Sequence, residues 1–215
     1  RLPATRLHVL TNGRLFYYRG FARKLAAIGH PLLTLAIPLY SDIDAEHDRV
    51  VAAAGAYDET VIGLCHLAEF GVAIEIRVVV HRQTYGRLAR LAEFIARNFP
   101  FVEHVALMGL ELTGLVHQNL DELWIDPYDY QRELVEAARV LEFARVPFSI
   151  YNHQLCVLER SLWPWARKSI SDWKNVYIGA CDACSVRSHC GGFFASGVRR
   201  TSAHIRAIGE AEAGL

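Results

Sequence analysis

The chain has 215 residues, of which 52% are hydrophobic, and its 23 basic and 23 acidic side chains give a formal net charge of zero. A neutral balance leaves no global field to recruit nucleic acid or an acidic membrane surface, so neither is expected as a partner. The length suffices for one good-sized core, or a core with a small appendage, and no apolar run approaches the roughly 20 residues that span a bilayer.

The chain opens Arg1-Leu2-Pro3-Ala4-Thr5 without a Met and enters a strand almost at once, which reads as a fragment whose N-terminal portion is missing. No signal-peptide pattern is present. Arg6 to Leu10 forms a short apolar strand, stopped by Thr11-Asn12-Gly13, because Asn-Gly marks a sharp turn. Helix-like residues run from Leu15 to Ile28, with Gly29 as the C-cap. Leu32 to Leu39 is the next strand and ends near Ser41-Asp42. A polar helix start follows at His47-Asp48, then a helix over Asp58–Phe70 with Val61, Leu64, Cys65 and Ala68 along one face. On that face Cys65 reads as core packing, the usual fate of an unpaired cysteine.

Val72 to Val80 is the most strand-like run, nearly all apolar, as in a parallel strand covered on both faces. Glu75 and Arg77 interrupt it two residues apart and so share one face, while Ile74, Ile76 and Val78 take the other. Two charges on a buried face imply either a polar interior or an ion pair. Thr84 is placed as the N-cap of a helix in which Leu88, Leu91, Ala92, Ile95 and Phe99 recur, stopped by Pro100. Val102 to Met108 is another strand. The loop Gly109–Ile125 carries Glu111, Thr113, His117 and Asn119. A structureless loop of that length reads as functional and is expected to contact substrate. Asp126-Pro127 starts a helix with the stripe Tyr130, Leu134, Ala138 and Leu141, and Pro147 to Tyr151 is a last strand.

Strand and helix alternate throughout, which predicts an α/β fold with a parallel sheet. Such sheets place their sites at the C-terminal strand ends, here Asn12-Gly13, Ser41-Asp42, His81-Arg82-Gln83 and the Met108–Asn119 loop. After Tyr151 the pattern changes, with Trp163, Trp165 and Trp173 among Ser, Asn and Gly. The division expected is residues 1–151 as the α/β part and 152–215 as a small irregular module.

That module holds Cys181, Cys184 and Cys190, spaced C-x2-C-x5-C and followed by Gly191-Gly192. Three thiolates so close on a turn-prone backbone can wrap one metal centre. The glycines let backbone N–H groups approach the sulfurs. Cys156, which follows a strand-like run, is the best fourth ligand. Spacing leaves zinc and iron–sulfur both open, and His189 could serve a zinc ion. A disulfide or a set of uncoordinated thiols is the alternative. Clustered cysteines of this kind suit a reducing cytoplasm.

Thr-Asn-Gly at a strand end, the βα series, the inward Arg77 and the C-x2-C-x5-C module together resemble the radical S-adenosylmethionine enzymes with a SPASM- or twitch-like C-terminal extension. LHVLTNGRLF, ALMGLELTG, LWIDPYDY, IYNHQLCVLERSLWP, SISDWKN and CDACSVRSHCGGFF look most like the maturase family of the His-Xaa-Ser peptide-modification system. The resemblance implies a partial (β/α)6 barrel, of which these residues would cover about strands 3 to 6, and a radical mechanism with S-adenosylmethionine as cofactor. It implies a first 4Fe-4S cluster on a C-x3-C-x2-C motif that this sequence lacks, so the fragment alone is not expected to make the radical. By position it implies cofactor contacts at Thr11, Asn12, Gly13, Ser41, Arg77, Gln83 and Met108. Cys156, Cys181, Cys184 and Cys190 would carry an auxiliary 4Fe-4S cluster, structural or electron-transferring. Implied partners are a precursor peptide, a possible partner maturase and a reductase as electron donor. The competing reading from the residues is an α/β ligand- or partner-binding protein with a purely structural four-cysteine zinc site.

Overall fold

The computed structural model describes residues 4–168, 175–198 and 200–213. The expectations on Arg1 to Pro3, on Trp173 and on most of the SISDWKN segment lie outside the described residues.

β1 (Leu7–Leu10), β2 (Leu33–Pro38), β3 (Ala73–Val80), β4 (His104–Gly109) and β5 (Phe148–Tyr151) form one five-stranded sheet in that order. The fold is α/β with a parallel sheet. β1 pairs with β2 with Val9 opposite Leu35, and β2 pairs with β3 with Ile37 opposite Ile76, both in parallel. Ile74, Ile76, Val78 and Val80 of β3 are all buried. Each such side chain contributes roughly 1.5–3 kcal/mol by leaving water. Among the described residues no helix is long and apolar enough to cross a membrane.

The chain divides into two compact units. The first comprises residues 1–79, 90–106 and 140–148, and the second 80–89, 107–139 and 149–215. In the first unit the run expected as one helix over Leu15–Ile28 is broken: a 3-10 turn over Arg14–Tyr17 precedes α1 (Arg19–Ala26), because Tyr18 is extended at φ −78° and ψ 99°. α2 (Asp44–Val51) begins before the expected His47-Asp48. Asp48 instead lies near its end, and its carboxylate accepts from the N–H groups of Gly55 at 2.6 Å and Tyr57 at 2.7 Å, at the start of α3 (Ala56–Glu69). An acidic group there also meets the positive end of the helix dipole.

The buried face of α3 carries Ala56, Thr60, Gly63, Leu64 and Leu67. Cys65 falls on the opposite side and is exposed, which corrects its reading as core. Gly63 makes the close approach: a methyl group there would come within 2.7 Å of the Gly13 carbonyl, so the missing side chain lets the helix pack on the turn after β1.

Thr84 does not cap with its side chain: its hydroxyl exchanges hydrogen bonds with the backbone of His81, ahead of a 3-10 turn over Tyr85–Arg87 and α4 (Leu88–Asn98). The stretch expected as the structureless loop Gly109–Ile125 holds a 3-10 turn over Gly114–Gln118 and α5 (Leu120–Leu123). Asp126 accepts from the Tyr128 N–H at 3.0 Å with Pro127 at the first position, as the sequence predicts, and α6 (Gln131–Phe143) follows. The second unit also has β6 (Asn175–Val176) and β7 (Phe193–Phe194), paired antiparallel, and α7 (Glu210–Ala213).

A four-cysteine cavity and a buried carboxylate hub

Cys156, Cys181, Cys184 and Cys190 all line one small, tightly filled cavity of the second unit, together with Leu155, Tyr177, Val186 and Phe193. Cys156 sits within the turn over 155–157 after β5, and the other three ride on the short turns after β6. The backbone points donors at the sulfurs. The N–H groups of Leu155 and Gly192 each lie 3.4 Å from Cys190 Sγ, and the Ile208 N–H lies 3.5 Å from Cys184 Sγ. The backbone amides of Arg206 and of Cys156 itself favour the ionised Cys156 sulfur. Amide donors of this kind stabilise the thiolate form that binds metal.

Burial pushes the Cys156 thiol up, and negative charge on Cys190 and Cys181 pushes it further, against the Arg206 amide. Cys190 is raised in the same way, by burial and by Cys181 and Cys184. Thiols buried side by side, where ionising one penalises its neighbour as at Cys156 and Cys190, are a ligand set that a cation would relieve. Among the described residues, no three His, Cys, Asp or Glu groups are gathered tightly enough to hold a single ion. His189 is exposed, faces Ser188 Oγ at 3.1 Å and is not among the residues lining the cavity.

The glycines after Cys190 have a local reason. Gly192 sits at φ +64°, and a methyl group on it would meet the Val176 carbonyl at 2.6 Å, so this position keeps β7 against β6. Tyr177 donates its hydroxyl to the Cys190 carbonyl at 2.7 Å. Trp163 donates to the Leu155 carbonyl at 3.1 Å and the Leu158 carbonyl at 3.2 Å, packing against the segment that carries Cys156.

The residues implied as cofactor contacts fall in both units. In the first, Thr11 and Asn12 turn the chain after β1: the Gly13 N–H donates to Thr11 Oγ1 at 3.3 Å, and the Arg14 N–H to Asn12 Oδ1 at 3.3 Å. Gly13 is at φ +76° against Ile37, so the turn has a structural cause of its own. Ser41 is buried, donates to Glu46 Oε2 at 2.7 Å and accepts from the Ile43 N–H at 3.1 Å, so its hydroxyl is committed to the start of α2. In the second unit the Gln83 N–H lies 3.3 Å from His81 Nδ1, and Met108 is half-buried near the end of β4.

Arg77 and Glu75 do share a face of β3, and Arg77 Nε donates to Glu75 Oε1 at 3.0 Å. Glu75 is only 7% exposed. It is also met by His104 Nδ1 at 3.0 Å and by His8 Nε2 at 3.3 Å. Burial pushes its carboxyl up, but His104, Arg77 and His8 outweigh that and hold it below the usual range. Sequence reasoning paired the two charges on β3 and missed the histidines. The available signal was that His8 and His104 interrupt apolar strands as Glu75 does.

A second buried pair lies in the second unit. Tyr130 Oη and His153 Nε2 are 2.8 Å apart, and His153 Nδ1 is 2.8 Å from the Tyr151 carbonyl. A carbonyl only accepts, so Nδ1 carries the proton and Tyr130 donates to Nε2. Burial pushes His153 down to about 4 and raises Tyr130 above its ordinary value.

No protein-family model and no curated protein matches the chain. Solved structures share its fold, among them two of one protein. The crystal structure of Streptococcus suis SuiB superposes with a TM-score of 0.52 at 15% identity, covering 68% of this chain and 33% of that one. The structure of SuiB bound to S-adenosylmethionine gives 0.55 at 16% identity, covering 80% of this chain and 38% of that one. The chain thus spans well under half the length of the proteins it resembles, and at this identity the likeness is one of fold.

Proposed function

We propose that this chain is part of the barrel, together with the auxiliary metal module, of a radical S-adenosylmethionine enzyme that modifies a ribosomally made peptide, of the His-Xaa-Ser maturase type. The observation that carries the reading is the cavity lined by four cysteines with backbone N–H groups aimed at their sulfurs. The parallel sheet supports it, as does the likeness in fold to SuiB, a radical S-adenosylmethionine enzyme.

In this reading Cys156, Cys181, Cys184 and Cys190 hold an auxiliary 4Fe-4S cluster. When bound, that group supplies one-electron chemistry. With all four thiolates engaged no iron site is left open, so the role assigned is electron transfer or structure. Arg77 is the residue we assign to the carboxylate of S-adenosylmethionine. Its Nε is taken by Glu75, and a guanidinium still has its two terminal nitrogens for a bidentate pair. Thr11, Asn12 and Gly13 would line the cofactor beside it; Gln83 and Met108, in the second unit, are further contacts expected by position, while Ser41, buried and bonded to Glu46, supports the turn into α2 instead. A reductase would supply electrons, and a partner maturase is a further expectation.

The test is product formation by the longest reading frame that contains these residues. Purified without oxygen and given S-adenosylmethionine and a low-potential reductant, it should release 5′-deoxyadenosine, and Arg77→Ala should abolish that release. A protein that leaves S-adenosylmethionine intact while binding zinc at the cysteines would replace this reading with the zinc-binding one.

A further inference from the structure

Within residues 205–213, Arg206 lines the cysteine cavity and Ile208 reaches Cys184 through its backbone. A backbone donor to sulfur comes from this stretch, the Ile208 N–H to Cys184 at 3.5 Å, and the Arg206 amide favours the ionised form of Cys156. The Ile208 side chain is 1% exposed. Its carbonyl accepts from the Ser185 N–H at 2.9 Å and from Ser185 Oγ at 2.7 Å, which ties the segment to the residue after Cys184.

Beyond Ile208 the segment is fastened by charge rather than by packing. Arg206 donates both terminal nitrogens to Glu212, one of them at 2.8 Å. Arg160 donates to the carbonyls of Glu212 and of Ala213, the latter at 2.9 Å. Arg160 also lies over the Trp163 ring at 5.2 Å. That indole bonds the carbonyl of Leu155, whose N–H donates to Cys190. The fastening therefore reaches both sides of the cavity.

We propose that residues 205–213 are a strap across the four-cysteine centre, latched by Arg160, Arg206 and Glu212, and that the latch sets how fast the centre meets solvent, chelators and thiol reagents. The proposal rests on reading the four cysteines as one metal centre. Arg206 and Glu212 are both about half exposed, so the latch is a weak surface pair whose opening is local, frequent and sensitive to salt. When the strap lifts, Cys184 loses the Ile208 amide and Cys156 the nearby Arg206 amide and side chain, while Cys190 keeps the donors of Leu155 and Gly192.

The test compares the whole chain with Glu212→Gln, Glu212→Ala and the double variant Arg160→Ala with Glu212→Ala. In metal-free, reduced protein the rate of maleimide addition is read site by site by peptide mass spectrometry, with exposed Cys65 as the internal reference. Cys156 and Cys184 should react about two- to tenfold faster relative to Cys65, in the order Gln, Ala, double. Raising salt from 0.05 to 0.5 M should move the unaltered chain toward the variants. In metal-loaded protein, whether iron or zinc is held, transfer to a chelator should quicken in the same order. Unchanged relative rates at Cys156 and Cys184 in the double variant overturn the strap. Accelerated thiol reactions in a chain that retains no metal after reconstitution leave the strap standing and remove the metal-centre reading instead.

Discussion

Arg77 Nε lies 3.0 Å from Glu75 Oε1 on one face of β3, and the other oxygen of that carboxylate lies 3.0 Å from His104 Nδ1. With His8 at 3.3 Å, one buried acid gathers three basic side chains from three strands of the first unit. A buried charge is tolerated only when it is paired, and here the pairing also fixes the direction in which Arg77 points.

Replacing Glu75 by Gln should lower unfolding stability by about 1–3 kcal/mol, the usual cost of removing one end of charge-assisted hydrogen bonds. Its folded-state pKa is lowered, so its contribution is present above the ordinary carboxylate range and is lost as pH falls through the lowered value. Urea unfolding between pH 6 and pH 3 should therefore show a steeper acid loss in the unaltered chain than in Glu75→Gln.

His153 is buried as the neutral ring, with its folded value near 4. An unfolded chain takes up that proton near 6.5, so stability should be full above about pH 6.5 and fall as pH drops from there to about 4, by roughly 3 kcal/mol. His153→Gln should flatten this part of the profile. Tyr130→Phe leaves His153 Nε2 without its donor and should cost about 1–3 kcal/mol at neutral pH. Denaturant titrations at half-unit pH steps read both effects.

Gly63→Ala should be the more damaging of two small changes at the turn after β1. The added methyl would meet the Gly13 carbonyl, which is backbone and cannot swing aside, and overpacking of this kind costs about 1–3 kcal/mol. Gly13→Ala meets a movable Ile37 side chain at 2.8 Å but also forces an L-residue to φ +76°, costing roughly 1–2 kcal/mol. Thermal melts of both variants check the order.

Among the described residues β1 pairs on one side only, with β2, and Leu7, Val9 and Leu10 are exposed on it. An apolar strand at a sheet edge templates pairing with another strand. Val9→Lys should reduce concentration-dependent association, measured by light scattering, while leaving the melting temperature within a few degrees.

The alternation of strand and helix was legible because each element carries its own period, and Asp126-Pro127 and the apolar run of β3 announced themselves in the same local way. The break at Tyr18 was not legible, since an extended residue inside a helix-like run has no compositional mark. Cys65 was assigned to the wrong side of α3 because its apolar neighbours suggested one face while Gly63 and Thr60, small rather than apolar, make the packed one. At the cysteines the spacing named the candidate ligands and the glycines explained the tight backbone. The donors from Leu155, Arg206 and Ile208 could not be read, because a backbone amide is the same at every residue and only the fold aims it.

The central claim is that Cys156, Cys181, Cys184 and Cys190 hold one iron–sulfur cluster. Iron and acid-labile sulfide should be counted after anaerobic reconstitution of this chain, beside Cys156→Ser and Cys190→Ser. The account predicts a brown protein with about four of each per chain, and both variants well below that. A colourless protein holding a single zinc, or iron uptake indifferent to Cys156, would contradict it.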